Sequence, residues 1–198
     1  KGKRIGAIAS NFAAVETFLT AHGISKSDVT LVPIQGDPSP LLAGQVDVIY
    51  TVFPTGPLQL EEKGITPVIM KLSDFGFDSL DLVYVVTERT LQDPVKRAAI
   101  VRFLRAEIDG WKAANADPAA GAKLAVDVYG KGNGLNLAQE TKSAQEQVSL
   151  FTPDPGSPGI LWMSKEAIAQ SVATLKEYGV AGDASLFDTS LLDEIYHR

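Results

Sequence analysis

The chain contains no cysteine. That absence excludes disulfides, thiol nucleophiles and thiolate metal sites together, and it leaves the redox compartment open. Histidine is almost as scarce, occurring only as His22 and His197. A Ser-His-Asp triad or a histidine-rich metal centre would have to use one of these two. His22 falls in Ala21-His22-Gly23 at the apparent end of a helix, where an imidazole caps carbonyls and answers the helix dipole. No apolar run approaches the roughly 18 residues needed to cross a bilayer. The first apolar segment, residues 5–9, is too short for the core of a signal peptide. The abrupt opening on a strand leads us to expect a processed or partial polypeptide. There is no long basic run and the net charge is -6, so nucleic acid is not an expected partner.

What is present is ordinary globular composition: 198 residues, 45% hydrophobic and 21% charged, enough to bury a core in one generous domain or two small ones. The first half reads as strand and helix in alternation. Strands are expected at residues 3–9, 29–34, 46–52 and 66–72. Helices are expected at 12–22, at 40–44 after a Ser39 cap, and at 57–63. Gly23, Gly44 and Gly64 are the stops. Apolar, β-branched strands alternating with helices point to a parallel sheet covered on both faces.

The pattern changes near residues 77–88. One further strand is expected at 82–87, and the rest is helical. Asp93 with Pro94 opens a helix to about Asn115, carrying Ile100, Phe103, Leu104, Ile108 and Trp111 on one stripe. Asp117 with Pro118 opens the next, with Leu124 and Val128 turned inward and an end near Gly130. Further helices are expected at 138–150, after Ser164 with Ile168, Val172 and Leu175 inward to Gly179, and at 190–196. Residues 152–159 form a turn-rich break. The helical half supplies no sheet of its own, so it is expected to pack on a sheet from residues outside this chain.

In an open parallel sheet, ligands bind beyond the carboxyl ends of the strands. That rule selects Ser10, Asn11 and Phe12 after the first strand, and Gln35, Gly36 and Asp37 after the second. It selects Phe53, Pro54, Thr55 and Gly56 after the third, and Ser73, Asp74, Phe75 and Gly76 after the fourth. Polar donors mixed with aromatics suit a small, flat, partly polar organic ligand. Ser10 or Asn11 serves equally as a helix cap. Asp37 before Pro38 reads better as an Asx turn than as a ligand contact. Phe53 and Phe75 are either core plugs or ligand stackers. Residues 130–134 (GKGNG) follow a helix and lack the Gly-Lys-Ser/Thr ending, so they read as a helix-terminating turn and not as a phosphate loop. Glu61-Glu62 lies on a helix surface, Asp78/Asp81 lies on a turn, and no nucleophile is paired with a base. Trp111 belongs to the core stripe, and Trp162 to core or pocket.

Several stretches together resemble a known family. These are residues 1–6 (KGKRIG), 28–32 (DVTLV), 41–48 (LLAGQVDV) and 85–91 (VVTERTL), with the Pro94 helix through 103–106 and Gly110-Trp111. They are similar to the periplasmic substrate-binding proteins of the thiamine-precursor (NMT1/THI5-like), sulfonate, taurine and nitrate importer group. Asp74-Phe75-Gly76 resembles the Asp-Tyr-Gly of the branch that carries thiamine-precursor pyrimidines. The resemblance implies a type II periplasmic-binding-protein fold of the α/β class. It has a flavodoxin-like parallel-sheet lobe at residues 1–82 and a mostly helical partial second lobe at 83–198, whose missing sheet family members build from an additional N-terminal segment. It implies a periplasmic or extracytoplasmic receptor that closes by hinge motion on a small-molecule ligand in an interlobe cleft and serves the membrane subunits of an ABC importer, without itself spanning the membrane.

The resemblance implies ligand contacts from Ser10, Asn11 and Phe12, the Phe53-Pro54 turn, and Asp74 with Phe75, to which the strand-end rule adds Gln35 and Thr55. Ser10 and Asn11 donate hydrogen bonds, Phe53 or Phe75 stacks, and Asp74 accepts from an amino or hydroxyl group. No catalytic residue, metal or cofactor is expected. The alternatives are a sensory ligand-binding module of a larger protein, a sulfonate, taurine or nitrate receptor, and a pyrimidine-synthesising enzyme of the same fold. The enzyme needs a histidine and iron, and neither histidine falls on the strand-end edge.

Overall fold

The computed structural model describes residues 1–80, 82–153 and 156–196. Asp81 and His197, considered above, lie outside the described residues, as do two residues of the 152–159 break. The chain forms two compact units. The first holds residues 1–78 with 173–182, and the second holds 79–172 with 183–198.

In the first unit, β1 (Lys3–Ala7) is central to a three-stranded parallel sheet of order β2-β1-β3, with β2 at Val29–Pro33 and β3 at Val48–Ile49. The register sets Ile5 opposite Leu31 on one side and Val48 on the other. Parallel neighbours need crossovers. α1 (Phe12–Ala21) supplies the first, and the short α2 (Ser39–Leu42) the second. α3 (Thr55–Glu62) follows β3. Gly6 is fixed by packing, because a Cβ there would stand 3.1 Å from Ile34 and 3.3 Å from Val46, both buried. The rest of this core is Ala7, Val15, Leu58, Leu60 and Tyr178.

The stretch 41–48 that carries the family resemblance has structural work to do. Gly44 takes φ +67°, as a left-handed helix stop requires. Val46 is 2% exposed. Asp47 accepts from the Arg4 backbone N–H at 2.8 Å and from both arms of its guanidinium at 3.2 and 3.1 Å, while Asp47 N–H donates to Arg4 carbonyl at 2.9 Å. The motif ties β3 to β1.

Two expected strands are not formed. Residues 66–71 and 82–87 take no place in a ladder, and Val68 is 90% and Leu82 91% exposed. The β-branched composition that suggested strands is there, but a strand exists only with a partner, and neither segment has one among the described residues.

The second unit is helical: α4 (Glu88–Gln92), α5 (Pro94–Ala116), α6 (Pro118–Leu124), α7 (Leu137–Phe151), α8 (Lys165–Glu177, its last residues in the first unit) and α9 (Ser190–Tyr196). The caps expected in this unit are made, whereas Ser39, expected to cap α2, is itself its first helical residue after Pro38. The Asp93 carboxylate accepts from Val95 and Lys96 N–H groups, Asp117 from Ala120, and Ser164 from Ala167. Val101, Leu104 and Leu191 form a buried cluster with Ile100, Leu91 and Ile195 packed against it. Phe103, expected inside, is 49% exposed and edge-on to Tyr84. Leu124 and Val128 are also exposed, against expectation. For Val128 the cause is a wide turn at Ala125–Tyr129, closed by Gly130 N–H on the Ala125 carbonyl at 2.6 Å, which rotates it off the α-helical period. Gly132 and Gly134 then take positive φ, so residues 130–134 do form a helix-ending turn.

Arg4, chiefly through its side-chain hydrogen bonds, lowers the Asp47 carboxyl from 3.8 to about 2. A depressed carboxyl stabilises the fold above its ordinary range, and the contribution is lost as pH falls from 3.8 towards about 2. Melting temperature against pH is expected to fall more steeply over that window in the native chain than in Asp47→Asn. Parallel acid limbs would show that the pair does not hold the sheet.

Candidate functional site

The sheet order places a reversal beside β1. The chain leaves β1 for β2 on one side and reaches β3 on the other, and the carboxyl ends of β1 and β3 border the crevice that such a reversal creates. Ser10, Asn11 and Phe12 follow β1 through a single 3₁₀ turn, Ala9–Asn11, into α1. Asn11 occupies the capping position, yet its side chain makes no cap bond. The 3₁₀ turn runs straight into α1, with Asn11 N–H on the Ile8 carbonyl at 2.8 Å and Phe12 N–H on the Ala9 carbonyl, so the open amino end lies at the start of that turn, where Ile8 offers no capping side chain, and the positive end of the helix dipole lies at this edge.

Gln35 and Gly36 follow β2. Gly36 has φ +87° and is approached by the Ile8 side chain at 3.3 Å from where a Cβ would stand, so the loops after β1 and β2 are in contact. Gln35 is exposed. Asp37 does form the Asx turn, accepting from Ser39 N–H at 2.9 Å, and the Ser39 hydroxyl and N–H hold its carboxyl below the usual range. It serves α2.

Phe53, Pro54 and Thr55 follow β3 and open α3. The Phe53-Pro54 peptide is cis, Pro54 is buried, Phe53 is half-buried and Thr55 exposed. The turn is packed closely: a Cβ on Gly56 would overlap the Thr51 side chain, at 2.6 Å from its Oγ1. Lys71 Nζ lies 4.4 Å from the centroid of the Phe53 ring, a cation–π contact that sequence reading did not foresee. Nothing in the local sequence signals it.

Asp74 and Phe75 are not brought to this edge. They lie in a turn at Leu72–Phe75 that packs at the far end of α1, where the Phe75 carbonyl meets the His22 ring and the Phe75 ring stands edge-on to Phe18, 6.4 Å between centroids. α1 spans ten residues, about 15 Å of helix, from Phe12 to that end. With residues 66–71 outside the sheet, no strand carries the turn to the strand-end edge. The Phe18, His22, Phe77 and Tyr178 rings hold it where it is. The resemblance-based placement of Asp74 and Phe75 beside Ser10 is thus not what the fold shows.

The second unit has a groove of about 1590 Å³ whose lining includes Leu82, Val86, Phe103, Phe151, Trp162 and Leu186. Trp162, left between core and pocket by the sequence, is half-buried there, while Trp111 stacks on Phe151 at 3.6 Å. Glu61 and Glu62 are exposed on α3. Among the described residues no group of three or more His, Asp or Glu side chains is placed to hold a metal. No helix there is long and apolar enough to cross a membrane.

A parallel α/β unit with uncapped backbone donors and an aromatic ring at the carboxyl edge of its strands has the build of a small-molecule-binding domain. Over residues 1–121 the chain matches the family described as NMT1/THI5 like, and it belongs to that family. This is a periplasmic-binding-protein family, made up mostly of substrate-binding proteins and typically extracytoplasmic. No curated protein matches the chain.

Gly56→Ala is expected to destabilise the first unit by about 1–3 kcal/mol, the usual cost of overpacking, read as a lower urea midpoint. An unchanged midpoint would show that the Phe53–Thr55 turn is not closely packed.

Proposed function

We propose that this chain is a solute-binding protein of an ABC importer. It takes a small organic ligand, with a thiamine-precursor pyrimidine or similar heterocycle preferred, at the carboxyl edge of the β2-β1-β3 sheet. The observation that carries the proposal is the amino end of the 3₁₀ turn that leads into α1, which Ile8 leaves without a capping side chain at the same edge as the Phe53 ring. A ring-shaped ligand with carbonyl or hydroxyl oxygens answers both features, its oxygens taking N–H donors and its face taking the aromatic ring. Ser10 and Asn11 donate, Phe53 stacks, Gln35 and Thr55 add polar contacts, and Phe12 and Pro54 shape the wall. Asp74 and Phe75 receive no ligand contact in this reading, because their turn sits at the other end of α1.

The helical second unit is read as the second lobe, and its helical build and the apolar groove beside the run 82–86 support that reading. Export to an extracytoplasmic compartment and contact with importer membrane subunits complete the proposal. The matching family supports both by its general character.

The test is thermal melting against aminopyrimidines, thiamine, flavins, taurine, alkanesulfonates and nitrate. A ligand at a hundredfold its Kd adds about 2.7 kcal/mol, so one class is expected to raise the melting temperature by several degrees, and Phe53→Ala is expected to lose most of that rise. A cooperative melt unmoved by every class would contradict the proposal. A shift with taurine, alkanesulfonates or nitrate alone would replace the heterocycle with an oxyanion.

A further inference from the structure

The segment 130–134 (GKGNG) that ends the wide turn takes no part in the proposed ligand site, but it carries a chemistry of its own. It sets Asn133 directly before Gly134. An asparagine amide is thermally labile where the backbone nitrogen of the next residue reaches the side-chain carbonyl carbon. A bond forms between that nitrogen and Cγ, the bond from Cγ to Nδ2 breaks, and the nitrogen's proton leaves with the departing ammonia. The product is a cyclic succinimide. Water then opens either of its C–N bonds, giving aspartate, or isoaspartate in which the chain runs on through the side-chain carbonyl. Water is the only co-reactant.

The attack needs three things: no side chain crowding the attacking nitrogen, an N–H not held by an acceptor, and open space for the ring and for water. Asn133 has all three. It is exposed, and Gly132 and Gly134, at φ +93° and +71°, have nothing within 4 Å of where a Cβ would stand. Its own N–H donates to the Gly130 carbonyl at 3.0 Å, which anchors the turn upstream of the reacting atoms. Among the described residues the Gly134 N–H has no acceptor and the Asn133 carboxamide has no hydrogen-bond partner.

The other three asparagines are held. Asn11 lies in the 3₁₀ turn before α1, and the N–H that would attack it, on Phe12, donates to the Ala9 carbonyl. Asn115 is half-buried in α5, donates to the Phe151 carbonyl at 3.3 Å and precedes Ala116 within the helix. Asn136 caps α7, its carboxamide oxygen accepting from Gln139 N–H at 3.0 Å, and it precedes the bulky Leu137. We propose that Asn133 is a site of spontaneous deamidation, and that the chain converts there to a more acidic form while Asn11, Asn115 and Asn136 persist. An ordinary aspartate is ionised at neutral pH, so one conversion takes the net charge from -6 to -7. Asn133 is exposed and nothing packs where a Gly134 side chain would stand, so the conversion changes charge and leaves the second unit folded.

The experiment is incubation of the native chain, Asn133→Gln and Asn133→Asp over days at mildly acidic and mildly alkaline pH, followed by ion exchange and mass spectrometry of tryptic peptides. Trypsin releases residues 132–142, which carry Asn133 and Asn136 together. In the native chain an acidic form is expected to accumulate, faster at the alkaline pH because the attacking nitrogen must lose its proton. Fragmentation is expected to place the change from amide to acid at Asn133. Asn136 is expected to convert about tenfold more slowly or less, the effect on rate of one hydrogen bond that must first break. Asn133→Gln is expected to give no acidic form over the same period, and Asn133→Asp to melt with the fresh native chain. An Asn133 amide that survives the alkaline incubation would overturn the proposal. So would conversion at Asn11, Asn115 or Asn136 ahead of it, an acidic form that still accumulates in Asn133→Gln, or a lowered melt in Asn133→Asp.

Discussion

A parallel ladder cannot be closed by a two-residue turn, so each strand beside β1 must be reached by a crossover that returns the chain to the same end of the sheet. That constraint governs the first unit. β1 takes partners on both sides, α1 and α2 carry the returns, and every loop after a strand comes out on one edge. The clamp between Asp47 and Arg4 fixes the weaker side, where β3 contributes only two ladder residues. An exposed ion pair counts for little by itself. Here the same carboxylate also accepts a backbone N–H at the start of the ladder, which makes it part of the sheet and not an ornament on it.

The candidate site follows from this arrangement and not from any reactive side chain. Ser10 to Phe12, Gln35, and Phe53 to Thr55 share an edge because three strands end there. The chemistry on offer is hydrogen bonding and stacking. That is what a receptor needs, and it agrees with a family composed mostly of substrate-binding proteins.

Much of the fold was legible because its signals are local. Asp93-Pro94, Asp117-Pro118 and Ser164 announce helix starts through caps that need no tertiary context, and the helices begin there. Gly23 and Gly64 end helices through their own backbone freedom. Strand readings depend on partners. Residues 66–72 and 82–87 have strand composition and no ladder, while 46–52 shrinks to Val48–Ile49 because only those residues meet β1 in register. Of the site, the edge after β1, β2 and β3 was readable from the strand-end rule. The displaced Asp74-Phe75 turn was not, since its position comes from rings on α1 and at Tyr178 that are far apart in sequence. The inward placement of Val128 failed for a local reason, one wide turn at Ala125–Tyr129 that no periodicity argument foresees.

The central claim is that the strand-end edge of the first unit is where a small molecule sits. The most direct measurement is amide shift mapping with whichever compound raises the melting temperature. The account expects the changes to concentrate on Ser10, Asn11, Phe12, Gln35 and Thr55, with the Phe53 ring protons moving and the α5 amides still. Changes confined to the apolar groove around Phe103 and Trp162, with Ser10 and Asn11 silent, would contradict it.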